Sequence, residues 1–160
     1  MTAAMSKKTN AMRLLEAAGI PYTLTTYQYD AEELSVAKIA AENKLTLERI
    51  FKTLVLKTDT GSVVVAVTPG DKQLDIKAIS KESNCKKVAL ADSQQLQALT
   101  GYIRGGCSPV GMKKNYPVIV DISALSFERI YVNAGMRGLL MELSPQDLQR
   151  ACGGIFAKIV

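Results

Sequence analysis

The amino-acid sequence predicts one mixed α/β (α+β) domain with mostly antiparallel strand pairing, and three observations carry that expectation. A chain of 160 residues fits one domain, and a hydrophobic content of 48% is enough for an ordinary core. Helix and strand signals alternate with no low-complexity linker and no repeat. The stretch "FKTLVLKTDTGSVVVAVTP" places two β-rich runs around Asp59, Thr60 and Gly61, the pattern of an antiparallel hairpin.

The elements follow in chain order. "TNAMRLLEAAGIP" offers Thr9 or Asn10 as N-cap, apolar Met12, Leu14 and Leu15, and Gly19 and Pro21 as stops, so it predicts a first helix. "YTLTTYQY" has strand-type residues. "SVAKIAAENKL" starts at a Ser35 cap and carries Val36, Ile39 and Ala40 on one face, which predicts a second helix before the hairpin. "LDIKAISKES" and "LADSQQLQALTG" read as two more helices, the latter with Asp92 as N-cap, Gln95 completing a capping-box-like pattern, and Gly101 as terminator. "PVIVDIS", "FERIYVNAG" and "GLLMELS" read as strands, the last two joined through "AGMRG". "SPQDLQRAC" closes as a helix with Pro145 in its first turn.

Several function classes are excluded or disfavoured by composition. Histidine is absent, which removes Ser-His-Asp, Cys-His and histidine-metal chemistry and leaves lysine, carboxylate, tyrosine, backbone or the substrate itself to handle protons. Three widely spaced cysteines, Cys85, Cys107 and Cys152, contain no CxxC pair, so neither a disulfide framework nor a thiolate metal site is expected. No apolar run has the length of a secretory or membrane-spanning segment, and a cytoplasmic protein without a membrane partner is expected. The net charge of +5 and pI near 9.1 suit a polyanion but also suit plain solubility.

Two stretches carry candidate chemistry. "GYIRGGCSPVGMKK", from Gly101 to Lys114, has four glycines that permit positive φ and close approach, so backbone N–H groups there could face an anion or an oxyanion. The spacing matches neither a phosphate loop nor a dinucleotide fingerprint, and taken alone it reads as a tight helix-to-strand connection. In "FKTLV", period-two alternation puts Lys52 on the same face as Leu54, as expected for a strand-start lysine snorkelling to solvent or for a cation held at the mouth of a cleft.

Taken in order, "FKTLV", "GYIRGGCSPVGMKK" and "IYVNAGMRGLLMELSPQDL" resemble the YbaK family of aminoacyl-tRNA deacylases, relatives of the editing domain inserted in bacterial prolyl-tRNA synthetases. The resemblance runs from "LLEAAGIPYTLTTY" to the last helix, and it implies one editing domain over residues 1–160. The fold it implies is a distorted, largely antiparallel β-barrel flanked by helices. Its implied activity is trans-editing: hydrolysis of the ester of a mischarged tRNA, foremost cysteinyl-tRNA(Pro), with prolyl-tRNA synthetase as the partner, no DNA partner, and neither cofactor nor metal. Proline and cysteine have similar size, so a synthetic pocket built for one excludes the other poorly.

Carried onto this sequence, the resemblance makes Lys52 the functionally critical lysine, followed by Thr53. Tyr27 falls at the family's aromatic position, Gly105, Gly106, Ser108 and Pro109 at its glycine-serine-proline loop, and Gly135, Arg137 and Gly138 at the second glycine turn. Asn133 stands where some relatives have serine, and Cys107 where many have an aliphatic residue. The resemblance further implies that the substrate's own thiol attacks its ester, so the protein supplies geometry and charge. The amides of Gly105 and Gly106 are then candidates for the oxyanion and Lys52 for the substrate or terminal adenosine. Three alternatives stay open: Cys107 as nucleophile with its pKa lowered by Lys113 and Lys114, hydrolysis of alanyl-tRNA(Pro) by activated water, and a non-catalytic tRNA- or synthetase-binding module. Lys113, Lys114, Arg104 and Arg137 are candidate phosphate contacts or merely a solvated surface.

Overall fold

Thr9 rather than Asn10 opens the first helix of the computed structural model, which describes residues 7–160. Its Oγ1 accepts the Met12 N–H at 3.2 Å, and α1 runs Asn10–Ala17 with Ala11, Met12 and Leu15 buried. The other helices are α2 (Val36–Asn43, capped by Ser35), α3 (Ile76–Glu82, capped by Asp75), α4 (Ser93–Thr100) and α5 (Pro145–Cys152, capped by Ser144). At α4 the predicted capping box does not form: Asp92 occupies the N-cap, but its exposed side chain accepts nothing and only its backbone carbonyl receives the Gln95 N–H, at 2.9 Å. A carboxylate in water is solvated without that bond. Gly101 ends α4 at φ 87°, as the sequence predicts.

Strands β1 (Thr23–Thr26), β2 (Phe51–Thr58), β3 (Val63–Pro69), β5 (Val118–Asp121), β6 (Ile130–Met136) and β7 (Leu139–Leu143) match the sequence expectations. Two strands were not expected, β4 (Val88–Leu90) and β8 (Ile155–Ala157). Each has three residues, too short for a period-two pattern, and each exists only because a neighbouring strand offers unpaired backbone groups.

The sheet order is β1-β7-β6 in one layer and β4-β2-β3-β5-β8 in the other. Four pairings are antiparallel (β1-β7, β2-β3, β2-β4, β6-β7) and two parallel (β3-β5, β5-β8), so the mixed, mostly antiparallel class holds. The barrel-like arrangement is an open one. Among the described residues the two sheets do not close on each other, and a single parallel bridge, Ile50 with Tyr131, joins them. Continuous pairing around a barrel would demand a register that β2 and β6 do not keep beyond that point.

The core lies between the two sheets. Phe51, Val65, Val67 and Val120 of the larger sheet meet Ile130, Val132, Met141 and Leu143 of the smaller one, with Leu15 and Leu148 closing from α1 and α5. On the opposite face of the larger sheet, Leu56, Ala66 and Ile119 pack under Ile79 of α3. Asp121 is buried yet satisfied, because its carboxylate accepts the N–H groups of Ser123 and Ile159 at 3.1 and 2.9 Å. Among the described residues, no helix is long and apolar enough to cross a membrane.

The glycine loop docks on α1 at Gly111, whose φ is +78° and whose missing Cβ would stand 2.8 Å from the backbone of Asn10 and Ala11. Gly111→Ala combines a left-handed penalty with a backbone clash and is expected to cost about 3 kcal/mol. Urea unfolding of wild type and variant measures this, and an unchanged midpoint would show that loop and helix do not meet there.

Candidate active site

Where the two sheets part, they leave a cleft. From the bridged pair Ile50 and Tyr131, β2 and β6 run in the same direction and separate, and two residues further along each chain stand Lys52 and Asn133. Both line a cavity of about 220 Å³, with Thr53, Tyr27, Gly105 and Cys107. Arg49 locks the seam below it. Its guanidinium donates to a Glu142 carboxylate oxygen at 2.6 Å and to the Arg129 carbonyl at 3.1 Å, and lies 4.9 Å from the Tyr131 ring centroid.

A β-bulge aims Asn133. The register slips between Asn133 and Met136, and the Asn133 Oδ1 accepts the N–H groups of Gly135 and Met136 at 2.6 and 3.0 Å. Its Nδ2 is then free to face the glycine loop, donating to the Gly105 carbonyl at 3.0 Å and to the Tyr27 hydroxyl at 3.4 Å. One side chain thus ties together the bulge, the loop and the aromatic residue. Gly135 is required at φ +106°, with Thr9 and Tyr102 atoms 3.0 Å from where a Cβ would be.

The sequence-predicted residues divide into two groups. Lys52, Thr53, Tyr27, Asn133 and Gly105 line the cavity. Gly106, Ser108, Pro109, Gly135 and Arg137 do not; they hold the walls. The Gly106 N–H donates to the Ile103 carbonyl at 2.9 Å, so that amide is already committed to a turn, and a Cβ there would press on the Arg137 backbone at 3.0 Å. Ser108 is fully buried, its Oγ accepting the Val110 N–H at 3.2 Å, and Pro109 lines a separate cavity beside Met112 and Cys152. Arg137 braces the loop from outside, Nε to the Arg104 carbonyl at 2.8 Å.

Tyr27 is buried, which raises its phenol pKa, so the ring offers a neutral hydroxyl to the cavity. Lys52 is half-buried and, among the described residues, forms no ion pair. The Thr53 Oγ1 is buried without a hydrogen-bond partner, an open polar position in the wall. Burial pushes the Cys107 thiol up to about 11, a thiol rather than a thiolate at neutral pH, and Lys113 and Lys114 do not offset that. Among the described residues, the cavity lining contains no carboxylate, and no cluster of His, Cys, Asp and Glu could hold a metal. Leu34, Val36, Ile39 and Leu140 supply an apolar back wall. Sequence reasoning placed Val36 and Ile39 on one helix face but assigned none of the four, nor Arg49, to a site, since apolar core residues and a turn arginine carry no local mark of one.

Two measurements check this geometry. Asn133→Ala orphans two amides and frees the glycine loop, and it is expected to lower stability by about 2 kcal/mol and to speed tryptic cleavage after Arg104; wild-type values for both would remove Asn133 as the anchor. Iodoacetamide at pH 8 is expected to leave Cys107 in the folded protein unmodified, with labelling growing only as the pH nears its raised pKa. Rapid labelling at pH 8 would contradict the buried thiol.

Comparison with known proteins agrees with this architecture. Residues 30–151 match the aminoacyl-tRNA editing domain family. The chain is 42% identical over 153 residues to EbsC of Enterococcus faecalis, named as a candidate Cys-tRNA(Pro)/Cys-tRNA(Cys) deacylase, covering 96% of this chain and 93% of that protein. It is 26% identical over 105 residues to the proline–tRNA ligase of Pelobacter propionicus, spanning 66% of this chain but 18% of the ligase. The crystal structure of hypothetical protein APE2540 superposes with a TM-score of 0.84 at 32% identity, over 94% of this chain and 98% of that one. A crystal structure described as a candidate trans-editing enzyme for prolyl-tRNA synthetase shares the fold, with a TM-score of 0.81 at 20% identity over 94% of each chain. The protein belongs to the aminoacyl-tRNA editing domain family.

Proposed function

We propose that this editing domain clears cysteine from mischarged tRNA(Pro) by letting the substrate's thiol perform the cleavage. The observation that carries the reading is what the cavity lacks among its described lining: no carboxylate and no histidine, and one cysteine held as a thiol by burial. Water activation has no carboxylate or imidazole base there, and an enzyme nucleophile has no activator. A substrate that brings its own nucleophile needs neither. At about 220 Å³ the cavity is smaller than a drug-sized site and suits a short aminoacyl group.

In this mechanism the cysteinyl sulfur attacks its own ester carbonyl. A C–S bond forms, the C–O bond to the terminal ribose breaks, the thiol proton ends on the departing ribose oxygen, and the amino acid leaves as a cyclic thiolactone. Lys52, unpaired at the cavity, attracts the developing negative charge or an RNA phosphate beside it. Gly105 is the loop glycine on the cavity wall. Gly106, its N–H turned to Ile103, contributes the turn rather than a donor. Tyr27, Thr53 and Asn133 hold the substrate from the walls, while Ser108, Pro109, Gly135 and Arg137 act on it only through the loop and bulge they brace. The relative named for cysteinyl-tRNA deacylation supports the choice of amino acid, and likeness to proline–tRNA ligases supports tRNA(Pro) and the synthetase as partners.

Side-by-side deacylation of cysteinyl-tRNA(Pro) and alanyl-tRNA(Pro) tests the reading. Wild type is expected to clear the cysteinyl ester and spare the alanyl ester, and Lys52→Ala to lose about 10²-fold in kcat/KM. Equal clearance of the alanyl ester would replace thiol assistance with activated water. Inertness toward both would make the protein a binding module.

A further inference from the structure

Away from the cleft, four lysines surround a second concavity. Lys77 and Lys81 come from α3, and Lys86 and Lys87 from the segment leading into β4; together they line a groove of about 470 Å³ with Ser80 and Cys85 at its floor. All four are exposed, and among the described residues none forms an ion pair. One acid lies beside the cluster, Asp59, and its carboxylate attracts Lys87 without forming an ion pair with it. The Asp59 carboxylate accepts the backbone N–H groups of Lys86 and Lys87 at 3.1 and 3.2 Å, which fixes the segment, Asp75 caps α3, and Glu82 lines a different cavity. Four charges amount to nearly the whole net excess of +5.

Such a cluster opposes folding. Lys77 and Lys81 stand at i and i+4 on one helix face, where like charges repel, and the ordered segment adds two more beside them. An external polyanion relieves that repulsion. The groove is also placed relative to the cleft by β2. Period two puts Lys52, Leu54 and Leu56 on one face, and Leu56 packs under Ile79 of α3, so Lys52 and the helix share that face of the sheet. From Lys52 to Thr58, where β2 pairs with Val88, six residue steps cover about 20 Å. A stacked strand rising about 3.4 Å per nucleotide spans that distance in about six nucleotides.

We infer that the Lys77, Lys81, Lys86 and Lys87 groove is a phosphate-binding surface for the RNA whose aminoacylated 3′ end occupies the cleft. This rests on the editing reading for the cleft, and it assigns the affinity for the RNA body to a site remote from the chemistry. Point-charge lysines without an aromatic platform read phosphates and not bases, so the surface is indifferent to sequence.

The test uses uncharged tRNA, so that binding is read independently of deacylation. Replacing all four lysines by glutamine is expected to weaken tRNA binding at least tenfold at 0.1 M salt. The slope of log K against log salt should flatten by about 1 per engaged lysine. Turnover of a minimal cysteinyl-adenosine ester should be unchanged, and the corresponding four-arginine variant should keep tRNA affinity. Wild-type affinity and salt slope in the glutamine variant would overturn the proposal, as would loss of binding to anionic phospholipid vesicles with tRNA binding intact. Wild type that binds tRNA through these lysines but deacylates nothing would sink the editing reading alone and leave the surface standing.

Discussion

The cleft exists because two sheets meet at one backbone bridge and then separate. Ile50 and Tyr131 form that seam, and Arg49 holds it through the Glu142 carboxylate, the Arg129 carbonyl and the Tyr131 ring. The ion pair is only partly exposed, with 28% and 22% of its two side chains open to solvent, so it is less screened than a surface pair. If β2 and β6 continued pairing past the seam, Lys52 and Asn133 would be ladder neighbours and no ligand space would remain. The β6-β7 register shift begins at Asn133, the position where such pairing with β2 would continue.

The same asparagine converts an opening into a shaped site. Its carbonyl oxygen pins the bulge, and its amide nitrogen draws in the Gly105 carbonyl and the Tyr27 hydroxyl. The glycine loop is therefore positioned from three directions: Asn133 within, Arg137 outside, and α1 behind Gly111. Its glycines serve mostly for close packing and positive φ. Gly105 alone among them lines the cavity, which narrows the part backbone amides play in any chemistry there.

Electrostatics separate two tasks. The cleft is small, has an apolar back wall and holds its ionisable side chains neutral except for cations, an environment that suits charge developing on a substrate. The lysine groove is open and, among the described residues, its four lysines form no ion pair, which suits a polymer of fixed charge. On the proposed reading, binding strength and bond cleavage answer to different residues.

Local signals made much of this legible from residue order. Caps at Thr9, Ser35 and Ser144, the Gly101 terminator and the hairpin around Gly61 depend on contacts within a few residues, so they can be read from a short window. The absence of histidine limits the chemistry wherever the residues end up. Cys107 as a neutral thiol, the committed amide of Gly106, Ser108 and Pro109 outside the cavity, and the parting of the sheets at Ile50 could not be read that way. Each depends on burial or on partners many residues distant, such as Asn133 with Gly105 across 28 positions. Short β4 and β8 belong with them, since three residues carry too little pattern and take strand form from a neighbour's unpaired backbone. Residue order sets the chemistry available and the local elements; long-range packing selects which of those groups meet in one cleft.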